Sequence, residues 1–315
     1  MQEQPPLSPF QENLVLSVFP SGAQIISAQY FRDKGVPCPM KVQVALSDGG
    51  KTTVVLRITR PEAPPSAEGP GVTLETELLP LLAECGLPVP RVLAGPVFDP
   101  NQPMLDAMTV LSLLPGENLL TLGEKASPQE RQVLEPILIS AVSQIQSVTQ
   151  VIIDMPLAAT FPCDPLQRIW QMATANETWW RHEPQLAETV QEITPRVQQV
   201  ETPLAFSNMD FHPSNFLSDG RRLTGLVDFV TGCFEDPLYG IAEYPAFSLT
   251  WLPYDGLSIA ERYADEHGFT KSELYVRIAV AIVLQLSYRM RPNSEAPVQI
   301  KQALLSLLQK AMYQL

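Results

Sequence analysis

The sequence predicts an α+β fold in two lobes, a small N-terminal lobe built on an antiparallel sheet with one main helix and a larger, mainly helical C-terminal lobe. Three observations lead there. At 315 residues, 45% hydrophobic and 17% charged, the chain can bury a core but is long for a single compact one. Its first third alternates apolar and polar residues between turn-forming runs, the period-two mark of strands. From Gln129 onward the apolar residues recur mostly at helical spacing.

Ile25 to Phe31 reads as a first strand. Val42 to Leu46 alternates as a half-buried strand, Ser47-Asp48-Gly49-Gly50-Lys51 carries turn chemistry, and Thr53 to Thr59 alternates again, so a hairpin is expected. In its second strand Val54, Leu56 and Ile58 share one face and Val55, Arg57 and Thr59 the other. The loop between the first two strands, residues 32–41, holds one glycine and two prolines, so it lacks the free backbone donors of a glycine-rich phosphate loop. Any phosphate contact there falls to Lys34 or Lys41.

Residues 61–71 form a connector rich in Pro and Gly, after which Leu74, Leu78, Leu81 and Leu82 keep a helical spacing that ends at Gly86. Pro80 is expected to kink or shorten this helix. Met108 to Leu114 reads as a strand running into the turn Pro115-Gly116-Glu117. Beyond it, Gln129 to Val151 carries Leu134, Ile137, Leu138, Ala141, Val142, Ile145 and Val148 on one helical face, and Ser272 to Met290 is apolar nearly all round. Between these helices Trp170, Trp179 and Trp180 are core residues or an aromatic face for a cation.

A net charge of −13, from 21 basic against 34 acidic residues, argues against a nucleic-acid binder, which needs basic side chains to neutralise phosphates. It accords with a solvated acidic surface and is compatible with a cationic substrate. Cys38, Cys85, Cys163 and Cys233 are too scattered for a zinc spacing and read as reduced, mostly buried thiols. Met1 to Pro9 lacks the basic and apolar regions of a signal peptide, and the run Ile278 to Leu286 is too short to span a bilayer. A cytoplasmic protein without membrane association is the expectation.

The chemistry is concentrated in Ser207-Asn208-Met209-Asp210-Phe211-His212-Pro213-Ser214-Asn215, followed by Phe216-Leu217, a turn at Ser218 to Arg222, and Leu223 to Asp228. Strand, turn and strand make a hairpin that would set Asn215 beside Asp228. Asp210 lies five positions before Asn215, and Asp228 thirteen after it. A phosphoryl-transfer site needs a carboxylate to accept the proton of an attacking hydroxyl, and an Asn and an Asp as oxygen ligands for Mg²⁺. The competing reading makes Asp210 and Asn215 ordinary turn residues around Pro213.

This stretch resembles the catalytic loop of the aminoglycoside phosphotransferase and choline kinase-like family of small-molecule kinases, His-Gly-Asp-x-His-x-x-Asn followed by a metal-binding Asp after a short hairpin. Asp210, His212, Asn215 and Asp228 match it; Asn208 stands where His is usual and Met209 where Gly is usual. The resemblance implies a bilobal protein kinase-like fold, with lobes over residues 1–112 and 113–315 and ATP bound with Mg²⁺. It implies Asp210 as catalytic base, Asn215 and Asp228 as metal ligands, and His212 as an anchor of the loop. In the small lobe it implies Arg57 on the ATP phosphates, braced by Glu75 eleven positions ahead of Gly86, with Glu77 as the alternative. Val55 would pack on the adenine, and the backbone near Ser112 and Leu114 would pair with the adenine edge. Phe234 to Ala242 resembles the family segment Gly-Asp-Pro-x-x-Asp-Leu-Ala, with Gly240 where an Asp is usual. Asp236 is expected to be structural, and Glu235 is a candidate substrate-side carboxylate.

The function implied is ATP-dependent phosphorylation of a hydroxyl group on a small molecule, one that could be cationic. The alternative is a catalytically silent nucleotide-binding module, favoured by the glycine-poor loop and by the Asn208 and Met209 departures. A protein kinase is less consistent with the chain, which lacks activation-segment signatures.

Overall fold

The computed structural model describes residues 7–31, 39–59, 71–99, 107–290 and 297–315. Lys34, Cys38, most of the loop at 32–41 and most of the connector at 61–71 lie outside the described residues. The chain divides into two compact units. One gathers the described residues up to Gly116 with Leu217–Asp219 and Thr224–Gly232, and the other comprises Glu117–Phe216, Gly220–Leu223 and Cys233–Leu315.

The first unit is built on an antiparallel sheet of β1 (Gln24–Tyr30), β2 (Met40–Ala45), β3 (Lys51–Thr59), β4 (Val92–Phe98) and β5 (Ala107–Ser112). Their order is β1-β2-β3-β5-β4. The alternation read in β3 is realised: Val54, Leu56 and Ile58 are buried with Val42, Val44, Met108 and Val110. The helix α1 (Pro9–Leu16) closes this face with Val15, and starts at a capping box made by Ser8 and Gln11. The strand β4 escaped the sequence reading because Gly95-Pro96 interrupts its pattern. It lies at the sheet edge, with register shifts around those residues, where a missing N–H costs no ladder bond.

The helix α2 (Gly71–Glu84) runs through Pro80 to its full length, so the expected shortening does not occur. Pro80 sits on the exposed side, while Leu78, Leu79 and Leu82 are buried and hold the helix by packing. Gly86, at φ +87°, ends it with the Leu87 N–H on the Leu82 carbonyl at 3.0 Å.

The second unit is mainly helical. Pro128–Ser147 opens on a capping box of Ser127 and Glu130 and buries Leu134, Ile137, Leu138, Ala141, Val142 and Ile145. Together with Thr149–Ile153 it is long and apolar enough to cross a bilayer, but here that face packs into the core of the unit. Lys271–Arg289 is buried along nearly its whole length. A small sheet orders Cys163–Asp164, Cys233–Glu235 and Ala205–Ser207, with the middle strand parallel to the first and antiparallel to the last. Trp170 and Trp179 are core residues, and the Trp170 and Trp180 indoles donate to Thr194 Oγ1 and the Thr174 carbonyl, each at 3.1 Å. The thiols differ from expectation: Cys233 is buried, Cys85 half-buried and Cys163 exposed.

One ion pair sits inside this apolar packing. Arg277, only 1% exposed, donates Nε to Asp236 Oδ1 at 2.9 Å and Nη2 to Asp236 Oδ2 at 2.7 Å, with further bonds to Thr202 Oγ1 and the Glu273 carbonyl. Asp236 also accepts the Leu238 N–H at 3.0 Å, so it is a structural carboxylate. Removing one partner strands the other's charge in the core. Arg277→Ala should therefore cost about 3–5 kcal/mol, read as a fall in the urea midpoint, against little change for Arg262→Ala, whose partner Glu266 is surface-exposed.

Candidate active site

The strand Ala205–Ser207 delivers the chain into a loop that ends in a single 3-10 turn, Pro213–Asn215, capped by His212 through its Nδ1 and the Ser214 N–H at 3.3 Å. Asp210 is exposed at the loop's crest. The Asn215 amide donates to Asp210 Oδ2 at 2.9 Å and to the Asp210 carbonyl at 3.0 Å. Both bonds are made from Nδ2, and Oδ1 accepts only a long hydrogen bond, 3.4 Å, from the Ser214 hydroxyl among the bonds described. Asn208, fully buried, accepts the Asp210 N–H at 3.3 Å through Oδ1 and donates to the Asp210 carbonyl at 3.1 Å through Nδ2. The sequence marked Asn208 only as a departure; the structure makes it the clamp on the backbone of Asp210. The Tyr244 hydroxyl, also buried, donates to the Phe211 carbonyl.

Two non-glycine residues among those described have positive φ, Met209 at +60° and Asp228 at +68°. Both belong to the motif. A left-handed conformation costs an L-residue about 1–2 kcal/mol, so the surroundings must impose it, which is common at functional sites. Met209 occupies the place of the glycine usual in such loops, and its N–H is held by Ser207 Oγ at 2.8 Å. Met209→Gly should leave stability within about 1 kcal/mol of the parent, strain relief offsetting the entropy of glycine, whereas Met209→Val should lose more than about 1 kcal/mol because β-branched residues resist positive φ. Thermal melts of the two variants compare them directly.

In the first unit Arg57 projects from the face of β3 opposite the apolar core. Its Nε lies 3.2 Å from Glu75 Oε2 on α2, and its Nη2 lies 2.6 Å from Asp228 Oδ1. Glu75 is buried, and its other oxygen accepts the Phe229 N–H at 2.9 Å. Burial opposes the Arg57 charge, but Glu75 and Asp228 outweigh it and hold the guanidinium firmly protonated. Burial likewise raises the Glu75 carboxyl above its ordinary value, with Arg57 and the Phe229 N–H pulling the other way. Glu77 is exposed. Val55, half-buried, shares the Arg57 face of β3. Ser112 donates its N–H to the Arg91 carbonyl and accepts the Arg91 N–H on its hydroxyl oxygen, each at 2.9 Å, which closes off the end of β5. Leu114 follows in the irregular turn before Gly116, where a Cβ would come within 2.4 Å of Thr224 Oγ1 and 2.6 Å of the Ser218 carbonyl oxygen. Phe216–Ser218 and Leu223–Leu226 form the anticipated hairpin, turning at Gly220 with φ +84°. Asp210 and Asn215 belong to the second unit, and Arg57, Glu75 and Asp228 to the first.

Residues 41–270 match the phosphotransferase enzyme family (APH). The chain belongs to that family. Its fold is similar to that of a thermostable mutant of aminoglycoside phosphotransferase APH(4)-Ia, solved as a ternary complex with ADP and hygromycin B. The TM-score is 0.61 at 13% identity, over 96% of this chain and 98% of that one. It is similar also to APH(2")-IIIa in complex with GDP and kanamycin, at TM-score 0.61 and 16% identity over 96% and 97% of the two chains. A protein of Ralstonia eutropha JMP134 described as an aminoglycoside phosphotransferase gives TM-score 0.61 at 13% identity, over 98% and 97%. No curated protein sequence matches the chain. The fold is therefore the protein kinase-like one of these phosphotransferases.

This phosphotransferase also carries a buried carboxyl group, Glu235, and a half-buried one, Glu243. Burial pushes Glu235 up to about 7, with the Ser207 hydroxyl bond opposing and the Asp236 and Asp164 charges adding to the shift. Burial pushes Glu243 up to about 8, with Glu235 and Asp210 adding to the shift and the Tyr239 hydroxyl, 3.2 Å away, opposing it. Glu235 is thus an interior group and not one presented to a substrate. Both values exceed the ordinary carboxyl value of 4.5, so the folded state binds protons that the unfolded state has lost. Their stabilising contribution is complete below that ordinary value and is lost as pH rises through about 7 to 8. The urea midpoint should fall from about pH 5 to about pH 8.5, and fall less in Glu243→Gln; an equal fall in that variant would assign the loss to other groups.

Proposed function

We propose that the chain transfers the terminal phosphoryl group of ATP to a hydroxyl group on a small molecule. The observation that carries this reading is the holding of Asp210: an exposed carboxylate on a loop whose backbone is clamped by buried Asn208 and whose Oδ2 is oriented by Asn215. A residue that only shaped a turn would not need both its backbone and its carboxylate held. Asp210 would accept the hydroxyl proton as the oxygen attacks. Arg57, kept charged by Glu75 and Asp228, would neutralise charge on the phosphates. Val55 would pack on the adenine, and the Leu114 backbone would meet its edge, since the Ser112 N–H is already engaged with Arg91.

Asn215 and Asp228 would hold Mg²⁺. The donor set suits it: both offer oxygen, and Mg²⁺ takes few protein ligands and completes its shell with phosphate oxygens and water. Among the described residues no group of three His, Cys, Asp or Glu could hold a metal. When bound, the ion would neutralise charge on the phosphates and align them with the acceptor.

The similar solved proteins support a nucleotide donor and a small-molecule acceptor: one was solved as a complex with ADP and hygromycin B, another with GDP and kanamycin. With a net charge of −13 on this chain, we favour an acceptor that carries positive charge. A cytoplasmic setting, where ATP is available, fits the same reading. The alternative, a silent nucleotide-binding module, is favoured by the single glycine in residues 32–41.

The deciding experiment pairs a mass-spectrometric screen of amino alcohols, sugars and antibiotics with the variant Asp210→Asn. The parent should form a phosphorylated product, and the variant should lose at least about a hundredfold in turnover while Mg-ATP still raises its melting temperature. A parent that binds Mg-ATP yet transfers phosphate to no acceptor and not to water would make the silent module the better reading.

A further inference from the structure

We propose that Tyr244 is a positioning residue, which sets the Asp210 loop in place by tying the Phe211 carbonyl to the helix Tyr244–Ser248. The inference rests on the phosphotransferase reading above.

Bonds made within the loop and a bond made from outside it have different effects. Asn208 holds the N–H and the carbonyl of Asp210, and the Asn215 amide shares that carbonyl. Both partners lie within five positions of Asp210, so these bonds give the loop its shape and travel with it. The Tyr244 hydroxyl donates to the carbonyl of Phe211, the next peptide after Asp210, from 33 positions along the chain. A bond of that span fixes where the loop sits in the second unit. The Phe211 carbonyl can only accept, and both residues are buried, Tyr244 to 1% exposure, so water does not take over the bond when the phenol is lost.

Two packing contacts act alongside it. A Cβ on Gly240 would overlap Phe211 Cδ2 and lie 2.9 Å from Cε2, so the buried Phe211 ring rests where glycine alone leaves room. One residue further on, the His212 ring meets the Trp251 indole edge to face, with centroids 5.7 Å apart. Gly240, Tyr244 and Trp251 thus hold the two residues that follow Asp210 from one continuous stretch of chain. Tyr244 is seated in turn, because its own carbonyl packs against Gly256, the first residue of the helix Gly256–Glu266, where a Cβ would overlap it. Close contacts therefore run from Gly256 through Tyr244 to the peptide beside Asp210. The Asp210 side chain is exposed and takes its direction from its backbone and from Asn215, so a shift of the Phe211 carbonyl moves the proton acceptor. Tyr244 acts on the reaction through that backbone.

The test compares Tyr244→Phe, which removes a single oxygen, with Tyr263→Phe, which removes the same oxygen from another buried phenol, bonded to Gln146 Oε1. Gly240→Ala is the third variant. Two readouts are taken: kcat and KM for ATP with an acceptor from the screen, and amide hydrogen exchange of the peptide over residues 206–213. Misplacing a catalytic group slightly is enough to cost a large factor, so Tyr244→Phe and Gly240→Ala should each lose about tenfold or more in kcat, with KM for ATP within about twofold of the parent. Exchange over residues 206–213 should rise in both. Tyr263→Phe also loses a buried bond, yet it should keep kcat within about twofold of the parent and leave that exchange unchanged. Unchanged kcat in Tyr244→Phe, an equal loss in Tyr263→Phe, or loop exchange that Tyr244→Phe does not alter would overturn the proposal. If Tyr244→Phe does not fold, Gly240→Ala carries the comparison with Tyr263→Phe. A parent without transferase activity would overturn the functional reading alone, since hydrogen exchange still decides whether Tyr244 sets the loop in place.

Discussion

The first unit depends on one buried cation. Arg57 reaches Glu75 with one edge of its guanidinium and Asp228 with the other, and so joins a strand, a helix and the segment after the hairpin. The Glu75 carboxylate does double service, taking Arg57 on one oxygen and the Phe229 N–H on the other. That second bond holds the backbone next to Asp228, a residue at positive φ. Without Arg57, Glu75 would be a carboxylate inside protein with no countercharge, a costlier condition than never having had the pair. The same arrangement turns the Asp228 carboxylate toward Arg57, so the cation proposed to meet the phosphates and the proposed metal ligand share one ion-pair network.

The loop around Asp210 follows a different principle, that of internal satisfaction. Asn208 engages both backbone polar groups of Asp210, and Asn215 engages its carbonyl and its carboxylate. Each bond is made by an amide, which can donate and accept from one planar group at short reach. This explains how the loop tolerates Asn in place of the usual His: what the position requires is a polar side chain able to bond the backbone of Asp210. It also explains how Met can occupy a left-handed position, because the Ser207 hydroxyl holds its N–H while its side chain stays 44% exposed and meets no steric demand from the core.

Much of the architecture was legible because it rests on periodicity. Alternation in Thr53 to Thr59 and the one-sided apolar stripe after Gln129 are imposed by the geometry of strand and helix, whatever else surrounds them. Where a local rule and tertiary packing disagreed, packing won. Pro80 breaks an isolated helix, but three buried leucines hold α2 together around it. Gly95-Pro96 breaks a central strand, yet an edge strand accommodates it. Arg277 lies in an otherwise apolar helix and would be read as facing solvent, until Asp236 is found bonded to it within the core.

By itself the sequence determined the chemistry on offer: the spacing of Asp210, Asn215 and Asp228, the cation at Arg57 and the acid at Glu75 are properties of residue type and interval. Only the tertiary structure decided which of them meet and what supports them. Glu75 rather than Glu77 receives Arg57 because the burial of Leu78, Leu79 and Leu82 sets the rotation of α2 about its axis. Asn208 became a clamp through hydrogen bonds that no one-dimensional pattern encodes, and Glu235 became an interior carboxyl. The physical reason is range. Periodicity is local and is written along the chain, whereas the partner of a buried polar group is chosen by whichever donor or acceptor packing brings within about 3 Å, often from a residue far away in sequence.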